Sequence, residues 1–418
     1  MIVLILFGLL FLLIGISVPI GISLGLATFI SMYLSKSVSV MYVAQNAFTS
    51  LDSFPLMAIP FFMLAGNIMS YGGVSKRLLN FADAIIGHIT GGLGMVTTLT
   101  CMFFAAISGS GPATVSAIGS FMIPAMEEEN YDPGFAASLT SVAGAIGVII
   151  PPSIPFVIYG VTSGASIGDL FIAGIIPGIL IGLALMITNY FIAKKYGFKG
   201  STTRPKLSKA FIEALPSLSV PVVILGGIYG GIFTPTEAAV VGCVYGLFIS
   251  VVFNKSMSWA DLYESLRDAV LINGATTYMI GLSSSFAFFL TMKQVPASIG
   301  VFLSGIDNAP LLMLLMIGIL LIVGLFIDNI SSCIILTPIM LPIVTKIGVD
   351  PVHFGIIMTM ALAIGFSTPP YGANLFVASA ISGTPVAKMM KFLKWFLLVN
   401  LIVLLLVTFI PQLAMGLL

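Results

Sequence analysis

The sequence predicts an all-α polytopic membrane protein with two inverted-topology repeats, each containing a helical hairpin and a discontinuous helix. Three observations support this fold class: an extreme composition, an internal repeat and an uneven distribution of positive charge. Of the 418 residues, 59% are hydrophobic and only 7% are charged, and the mean hydropathy is +1.17. A soluble domain carries about 25% charged residues, so the composition excludes a soluble enzyme. A net charge of +1 leaves no basic surface for nucleic acid, and we expect no such partner.

Apolar candidates for membrane spans follow one another along the whole chain, and several are shorter than the about 20 residues of a full span or are joined in pairs. They lie at 2–16, 17–34, 55–71, 134–147, 156–163, 170–193, 212–232, 236–253, 270–291, 352–366, 373–381 and 395–417. Their length and lack of alternation exclude an outer-membrane barrel. The first stretch has neither a basic segment before it nor a small-residue cleavage site, so we expect a retained span.

Two further apolar stretches, 91–126 and 309–345, contain a polar kink in the middle. The kinks are Ser108-Gly109-Ser110-Gly111-Pro112 and Asp328-Asn329-Ile330-Ser331-Ser332. A helical hairpin that enters and leaves the membrane on one side fits such a segment. A straight span with a kink is the alternative.

The chain resembles itself at an offset of 218 residues. Ten residues in the window 122–152 are identical to those 218 positions later, whereas apolar composition alone gives about two or three. Pro151-Pro152 matches Pro369-Pro370 in this alignment, and the two polar kinks coincide.

The positive charges orient these two halves. The polar stretch 194–210 contains six Lys and Arg residues, which places it in the cytoplasm by the positive-inside rule. From this loop, the side of every other loop follows by letting each span cross the membrane once, with 2–34 and 212–253 crossing twice each. This assignment places 13 of the 16 Lys and Arg residues in the cytoplasm and both termini outside. The halves therefore run in opposite directions, as in many secondary transporters. We predict a first repeat at 1–200, a basic cytoplasmic linker at 201–210 and a second repeat at 211–418.

Each half is predicted to bring two elements together near the middle of the membrane. One is the hairpin tip, and the other is a helix broken at its double proline, within 134–163 and within 352–381. Proline removes an amide donor and leaves carbonyl oxygens free. These oxygens suit a hard cation, and the N-terminus of the following half-helix suits an anion.

The side chains at these elements are almost all neutral, which favours sodium coupling. Proton-coupled carriers usually contain buried Asp, Glu or His chains, and magnesium or calcium calls for more carboxylates. Asp328 is the one acid here. It could bind an ion or only cap the second arm of its hairpin, and the sequence leaves both roles open.

Segment 258–270 is amphipathic and begins with a capping-box spacing at Ser258 and Asp261. We expect it to lie in the cytoplasmic interface. Such an arm would brace a scaffold, bind a partner or rest on lipid.

Four motifs together give the chain a specific family resemblance. They are Ile59-Pro60-Phe61-Phe62-Met63-Leu64-Ala65-Gly66, Ser108-Gly109-Ser110-Gly111-Pro112-Ala113-Thr114, Ile149-Ile150-Pro151-Pro152-Ser153 and Thr234-Pro235-Thr236-Glu237-Ala238-Ala239. Over essentially its whole length, the chain resembles the large membrane subunit of tripartite ATP-independent periplasmic (TRAP) transporters. The resemblance implies a sodium-driven importer of organic anions, such as sialic acids or C4-dicarboxylates, in a bacterial inner membrane. It also implies an elevator mechanism, a periplasmic substrate-binding protein and a small four-helix membrane subunit.

The resemblance further implies two sodium sites and a substrate site between the hairpin tips. The first sodium site would use Ser108, Ser110, Gly147, Ile150 and Pro152. The second, placed by the repeat, would use Asp328, Gly365, Thr368 and Pro370. Substrate would lie near Gly111, Pro112, Thr114, Ser153, Ser332, Tyr371 and Asn374.

Three other functions remain as alternatives. A stand-alone divalent-anion sodium symporter shares hairpins and broken helices. A channel is disfavoured by the repeat and the paired hairpins. An intramembrane hydrolase is disfavoured because the serines of the first tip lack the G-x-S-x-G spacing, and we expect no enzymatic activity.

Overall fold

The protein is helical throughout its described ranges. The computed structural model describes residues 2–36, 39–201, 205–295, 297–299, 308–370 and 372–418, and these ranges contain no strand. Seven helices among them are long and apolar enough to cross a membrane. They are Phe54–Tyr71, Ile167–Tyr196, Leu207–Tyr229, Pro235–Phe253, Trp259–Met292, Asn329–Lys346 and Val386–Phe409. The predicted all-α polytopic class is confirmed.

The helices form two groups, each of which packs more against itself than against the other. The first group, which we call the scaffold helices, consists of Ile2–Gly15, Ile20–Ser35, Met41–Thr49, Phe54–Tyr71, Val74–Ile86, Leu207–Tyr229, Pro235–Phe253 and Trp259–Met292. Its most extensive contact joins Phe54–Tyr71 to Pro235–Phe253. There the thiol of Cys243 donates a hydrogen bond of 2.9 Å to the carbonyl of Phe61.

The second group, which we call the core helices, contains both hairpins and both broken helices. It consists of Gly92–Ser108, Gly111–Glu128, Pro133–Gly144, Ile154–Ser163, Ile167–Tyr196, Ala309–Gly324, Asn329–Lys346, Pro351–Gly365, Ala373–Ser382, Val386–Phe409 and Gln412–Met415. Val386–Phe409 packs along Pro133–Gly144. The hydroxyl of Ser138 donates a hydrogen bond of 2.8 Å to the carbonyl of Met389 at this contact.

Both predicted hairpins are present. The first consists of Gly92–Ser108 and Gly111–Glu128 and turns at Gly109, whose φ of +61° is a left-handed conformation that favours glycine. The second consists of Ala309–Gly324 and Asn329–Lys346. The two arms of each hairpin contact each other, which excludes a straight kinked span.

Both predicted helix breaks are present as well. Pro133–Gly144 continues as a 3₁₀ turn to Val148 and then stops, and Ile154–Ser163 resumes after the double proline. In the second half, Pro351–Gly365 is followed by Ala373–Ser382. The Pro151–Pro152 and Pro369–Pro370 peptide bonds are cis.

The bounds of the core helices follow the sequence repeat, whereas the scaffold departs from it in one place. The second hairpin arms both have 18 residues and begin at Gly111 and Asn329. In the first half of the scaffold, Met41–Thr49 and Phe54–Tyr71 are separate, but Trp259–Met292 is one helix of 34 residues. The amphipathic segment 258–270 therefore continues directly into the span that follows it, and its place in the cytoplasmic interface stays a prediction. In the first half, Pro55 lies where the helices Met41–Thr49 and Phe54–Tyr71 are separated. In the second half no proline lies between Trp259 and Met292.

Two further details differ from the sequence-based expectations. The helix Val74–Ile86 is not predicted because Lys76, Arg77 and Asp83 interrupt its hydrophobicity. Its buried face, which includes Leu78 and Ala82, packs between Gly92–Ser108 and Leu207–Tyr229. The last part of the predicted linker 201–210 is already helical, because the helix Leu207–Tyr229 begins there. The boundaries of the two repeats and the orientation of the termini stay predictions.

Candidate functional site

The tip of the first hairpin is a closed cluster of hydroxyl and carbonyl oxygens. The hydroxyls of Ser108 and Thr114 lie 2.9 Å apart, and both residues are buried. Thr114 also donates a hydrogen bond of 2.8 Å to the carbonyl of Ser110. Ser108, at the end of one arm, is thus linked to the first turn of the other.

The first broken helix packs tightly against this tip. A Cβ added to Gly147 would lie 2.5 Å from Oγ1 of Thr114 and 2.6 Å from the carbonyl oxygen of Ser110. The amide of Ile154 donates a hydrogen bond of 3.3 Å to the carbonyl of Gly109. Only glycine at position 147 permits this approach of two backbones, so the break and the tip form one unit.

The other members of the first predicted sodium set lie along the same break. The carbonyl oxygen of Pro152 is 2.8 Å from the position that a Cβ on Gly109 would occupy. Ile150 points its side chain at Gly178 of the long helix Ile167–Tyr196. The structure therefore brings Ser108, Ser110, Gly147 and Pro152 together. Ile150 belongs to the same break, and its side chain packs against the helix Ile167–Tyr196.

At the second hairpin tip, Asp328 caps the helix Asn329–Lys346 with one carboxylate oxygen, and its other carboxylate oxygen takes no part in the cap. Its Oδ2 accepts a hydrogen bond of 3.0 Å from the amide of Ser331. Its Oδ1 is buried and has no hydrogen-bond partner among the described residues, and the same holds for Nδ2 of Asn329 and Oγ of Ser332. Burying such atoms unpaired is costly, and a bound water or ion is one way in which proteins satisfy them.

The remaining residues of the second predicted sodium set lie at the second helix break. Gly365 closely approaches the first arm of the hairpin, because a Cβ there would lie 2.5 Å from the carbonyl carbon of Gly324. The hydroxyl of Thr368 donates a hydrogen bond of 2.7 Å to the carbonyl of Ile364 within its own helix end. Pro370 is exposed.

Residues from the two halves meet between the tips. A Cβ on Gly111 would lie 3.0 Å from Oδ1 of Asn374, an oxygen that is buried without a hydrogen-bond partner in the described ranges. The carbonyl of Ser141 accepts hydrogen bonds from Nδ2 of Asn374 at 3.4 Å and from Oγ of Ser367 at 3.1 Å. The first hairpin, the first broken helix and the second broken helix therefore converge here.

The predicted substrate residues lie in several places. Gly111 and Asn374 meet at the junction just described, and Pro112 follows Gly111 in the first turn of the second hairpin arm. Thr114 lies in the same turn and is hydrogen-bonded to Ser108 and Ser110. Ser153 caps Ile154–Ser163 and donates a hydrogen bond of 2.6 Å to the carbonyl of Val148. Ser332 is in the first turn of Asn329–Lys346, and Tyr371 lies outside the described residues.

Each hairpin packs against the half-helix of the other repeat. Gly111–Glu128 contacts Ala373–Ser382, and Asn329–Lys346 contacts Ile154–Ser163. The scaffold helices touch both tips: a Cβ on Gly66 would lie 3.2 Å from the Cα of Ser108, and the hydroxyl of Ser283 donates a hydrogen bond of 3.4 Å to that of Ser331. The two tips thus lie at the boundary between scaffold and core.

Sequence reasoning missed three residues of this region. Ser141 offers its backbone carbonyl to the other half, which no side-chain pattern can reveal. Gly66 lies in a motif that carried the family resemblance, but its contact with Ser108 was not predicted. Ser283 belongs to a run of three serines in an otherwise apolar helix, and that run was the signal that could have identified it.

Taken together, the tips and breaks define a multi-pass membrane transport fold with paired hairpins and discontinuous helices. The family model described as "Tripartite ATP-independent periplasmic transporter, DctM component" matches residues 7–413. The chain belongs to this family. The resemblance stated from its motifs is confirmed.

Two relatives and one solved structure illustrate this similarity. The chain is 49% identical over 384 residues to the isethionate TRAP transporter permease protein DctMQ of Oleidesulfovibrio alaskensis, covering 91% of this chain but only 60% of that relative. It is 41% identical to the C4-dicarboxylate TRAP transporter large permease protein DctM of Pseudomonas aeruginosa, covering 91% and 90% of the two chains. The crystal structure of the YdaH transporter of Alcanivorax borkumensis has a similar fold, with a TM-score of 0.62, 14% identity and 90% of each chain covered.

Proposed function

We propose that this chain is the transport subunit of a sodium-coupled importer of organic anions that works by an elevator mechanism. The observation that carries the proposal is the group of buried, unpartnered polar atoms at the hairpin tips and the junction between them. Oδ1 of Asp328, Oγ of Ser332 and Oδ1 of Asn374 belong to this group. Free oxygens beside interrupted helices are where coupling ions bind in secondary transporters.

Two cation sites are proposed, with different chemistry. The first takes its ligands from Ser108, Ser110 and the backbone of Gly147, Ile150 and Pro152, all of which are neutral. The second adds the carboxylate of Asp328 to oxygens of Gly365, Thr368 and Pro370. At least two sodium ions would then accompany each substrate.

The substrate is proposed to be an organic anion held between the tips, where none of the proposed residues is basic. Its carboxylate or sulfonate would therefore be stabilised by hydroxyls, by half-helix N-termini and by the bound sodium. The names of the two relatives above, isethionate and C4-dicarboxylate permeases, fit this class. Sialic acids belong to the same class.

The partners and the location follow from the family. We propose that a soluble periplasmic binding protein delivers the substrate and that a small four-helix membrane subunit completes the complex. The complex would lie in the inner membrane of a bacterium, with both termini of this chain in the periplasm. The boundary between scaffold and core, at Gly66 and Ser108, is the surface along which the core would slide.

A thermal-stability measurement tests for sodium binding directly. The full chain in detergent is heated in sodium chloride or in potassium chloride at the same ionic strength. Because a ligand that binds the native state stabilises it by RT ln(1 + [L]/Kd), sodium at about ten times its Kd should add about 1.4 kcal/mol and raise Tm by roughly 1–3 °C. Equal Tm values in saturating sodium and potassium would contradict the proposal.

A further inference from the structure

A groove separate from the transport site opens between the C-terminal end of Ile167–Tyr196 and the N-terminal part of Val386–Phe409. It encloses about 330 Å³, within the range of small-molecule sites, about 300–1,000 Å³. Thr188, Phe191 and Lys195 line one side, and Phe392, Trp395 and Leu398 line the other. From Thr188 to Tyr196 the groove extends about 12 Å along the helix axis.

The two ends of the groove differ in polarity. Apart from Thr188, the end away from Lys195 is apolar, and Phe191 and Leu398 are 65% and 47% exposed there. Its other end contains Lys195 and Tyr196 and lies beside Trp395, an arrangement typical of the membrane–water interface. A molecule with an apolar chain and a polar end would match this gradient.

The polar end is strongly positive. Five exposed lysines lie on the two helix ends, namely Lys194, Lys195, Lys388, Lys391 and Lys394. Lys391 lies over the rings of Tyr196 and Phe392, at 4.8 and 4.6 Å from their centroids, and pairs with Asp132 at 3.2 Å. Lys391 is thus paired with a carboxylate, whereas Lys195 lines the groove itself and is the lysine placed to attract a bound anion.

We propose that this groove binds an anionic phospholipid, with the headgroup phosphate at Lys195 and an acyl chain along Phe191 and Leu398. Basic pockets between membrane helices bind anionic headgroups in this way. Both helices belong to the core group, and Ser138 ties Val386–Phe409 to the first broken helix. The bound lipid would therefore lie against the part of the protein that holds the transport site.

Trp395 provides a reporter for the test. The chain has two tryptophans, Trp259 and Trp395, so Trp259→Phe leaves only the one in the groove. This variant of the full chain is reconstituted into phosphatidylcholine vesicles that contain a small fraction of dibrominated phosphatidylglycerol or dibrominated phosphatidylcholine. We expect the phosphatidylglycerol to quench Trp395 with at least about fivefold higher apparent affinity, the effect of one lysine charge at an anionic surface.

Matched variants distinguish a specific lipid-binding site from a general attraction of the protein for anionic lipids. Lys195→Gln should remove most of the preference, whereas Lys346→Gln, an exposed lysine at the end of the second hairpin, should leave it unchanged. In the reciprocal Trp395→Phe protein, Trp259 should show no comparable preference. Equal quenching of Trp395 by both lipids, or the same preference at Trp259, would overturn the proposal. Loss of the preference on adding inorganic phosphate at constant ionic strength would identify a free-phosphate site and overturn the lipid assignment.

Discussion

Asp328→Asn is expected to lower sodium affinity by about 100-fold, which corresponds to about 2.8 kcal/mol, and to reduce uptake to background. The substitution removes the only negative charge at the proposed sites while it keeps the shape of the side chain. Asparagine caps helices about as well as aspartate, so the bond to the amide of Ser331 is retained. Tm in the absence of sodium should therefore stay nearly unchanged, and the sodium-induced rise should shrink.

Asp350→Asn is the matched control. Asp350 caps the helix Pro351–Gly365 by accepting hydrogen bonds from the amides of Val352 and His353, and it is exposed. The same substitution there should leave the sodium dependence of both Tm and uptake as in the unmodified chain. If Asp328→Asn behaved like Asp350→Asn, Asp328 would be a cap and nothing more.

Gly147→Ala is expected to lower uptake strongly by displacing the first hairpin tip. The new Cβ would lie 2.5 Å from Oγ1 of Thr114 and 2.6 Å from the carbonyl oxygen of Ser110, which is closer than real Cβ contacts. The carbonyl is backbone and cannot rotate aside, so the tip must move, at a cost of about 1–3 kcal/mol. We expect at least a tenfold loss of uptake, because the first cation site loses its geometry.

Gly318→Ala provides the comparison for this variant. Gly318 lies inside Ala309–Gly324, the first arm of the second hairpin, and a Cβ there meets nothing within 4 Å. Alanine should raise stability by about 0.5–1 kcal/mol through the lower flexibility of the unfolded chain, with uptake intact. Unchanged sodium-dependent uptake in Gly147→Ala would show that the tip and the break do not form an ion site.

The hairpins and breaks could be predicted from sequence because glycine and proline act locally. Gly109 permits the left-handed turn of the first tip, and the double prolines interrupt their helices in any surroundings. The double prolines recur at the offset of 218 residues, whereas Gly109 has no glycine counterpart in the second half. At 258–270 amphipathicity predicted an interfacial arm but did not show that the helix continues into the next span. In the first half, Pro55 lies where the arm and the next helix are separated. In the second half no proline interrupts the helix, so the arm and the span are continuous.

Contacts between the halves could not be predicted, because they depend on tertiary packing. The approach of Gly111 to Asn374 and the bonds of Ser367 and Asn374 to the carbonyl of Ser141 join residues more than 200 positions apart. The sequence could identify the residue types but not these partners. For Asp328 it left capping and ion binding open; the structure shows capping by one oxygen, and the other oxygen has no hydrogen-bond partner among the residues that the structure describes.

The repeat makes the two proposed cation sites similar in shape but unequal in charge. Ser110 and Asp328 occupy equivalent positions, one neutral and one acidic. A carboxylate adds attraction that hydroxyls and carbonyls do not supply, so the second site should bind sodium more tightly and fill first.

Uptake into proteoliposomes tests the central claim most directly. The full chain is reconstituted with its small membrane subunit, the loaded binding protein is added outside, and either a sodium gradient or a proton gradient is imposed. We predict accumulation of the organic anion only with an inward sodium gradient and only when all three components are present. Equal uptake with a proton gradient alone would contradict sodium coupling, and full uptake by this chain alone would favour a stand-alone symporter.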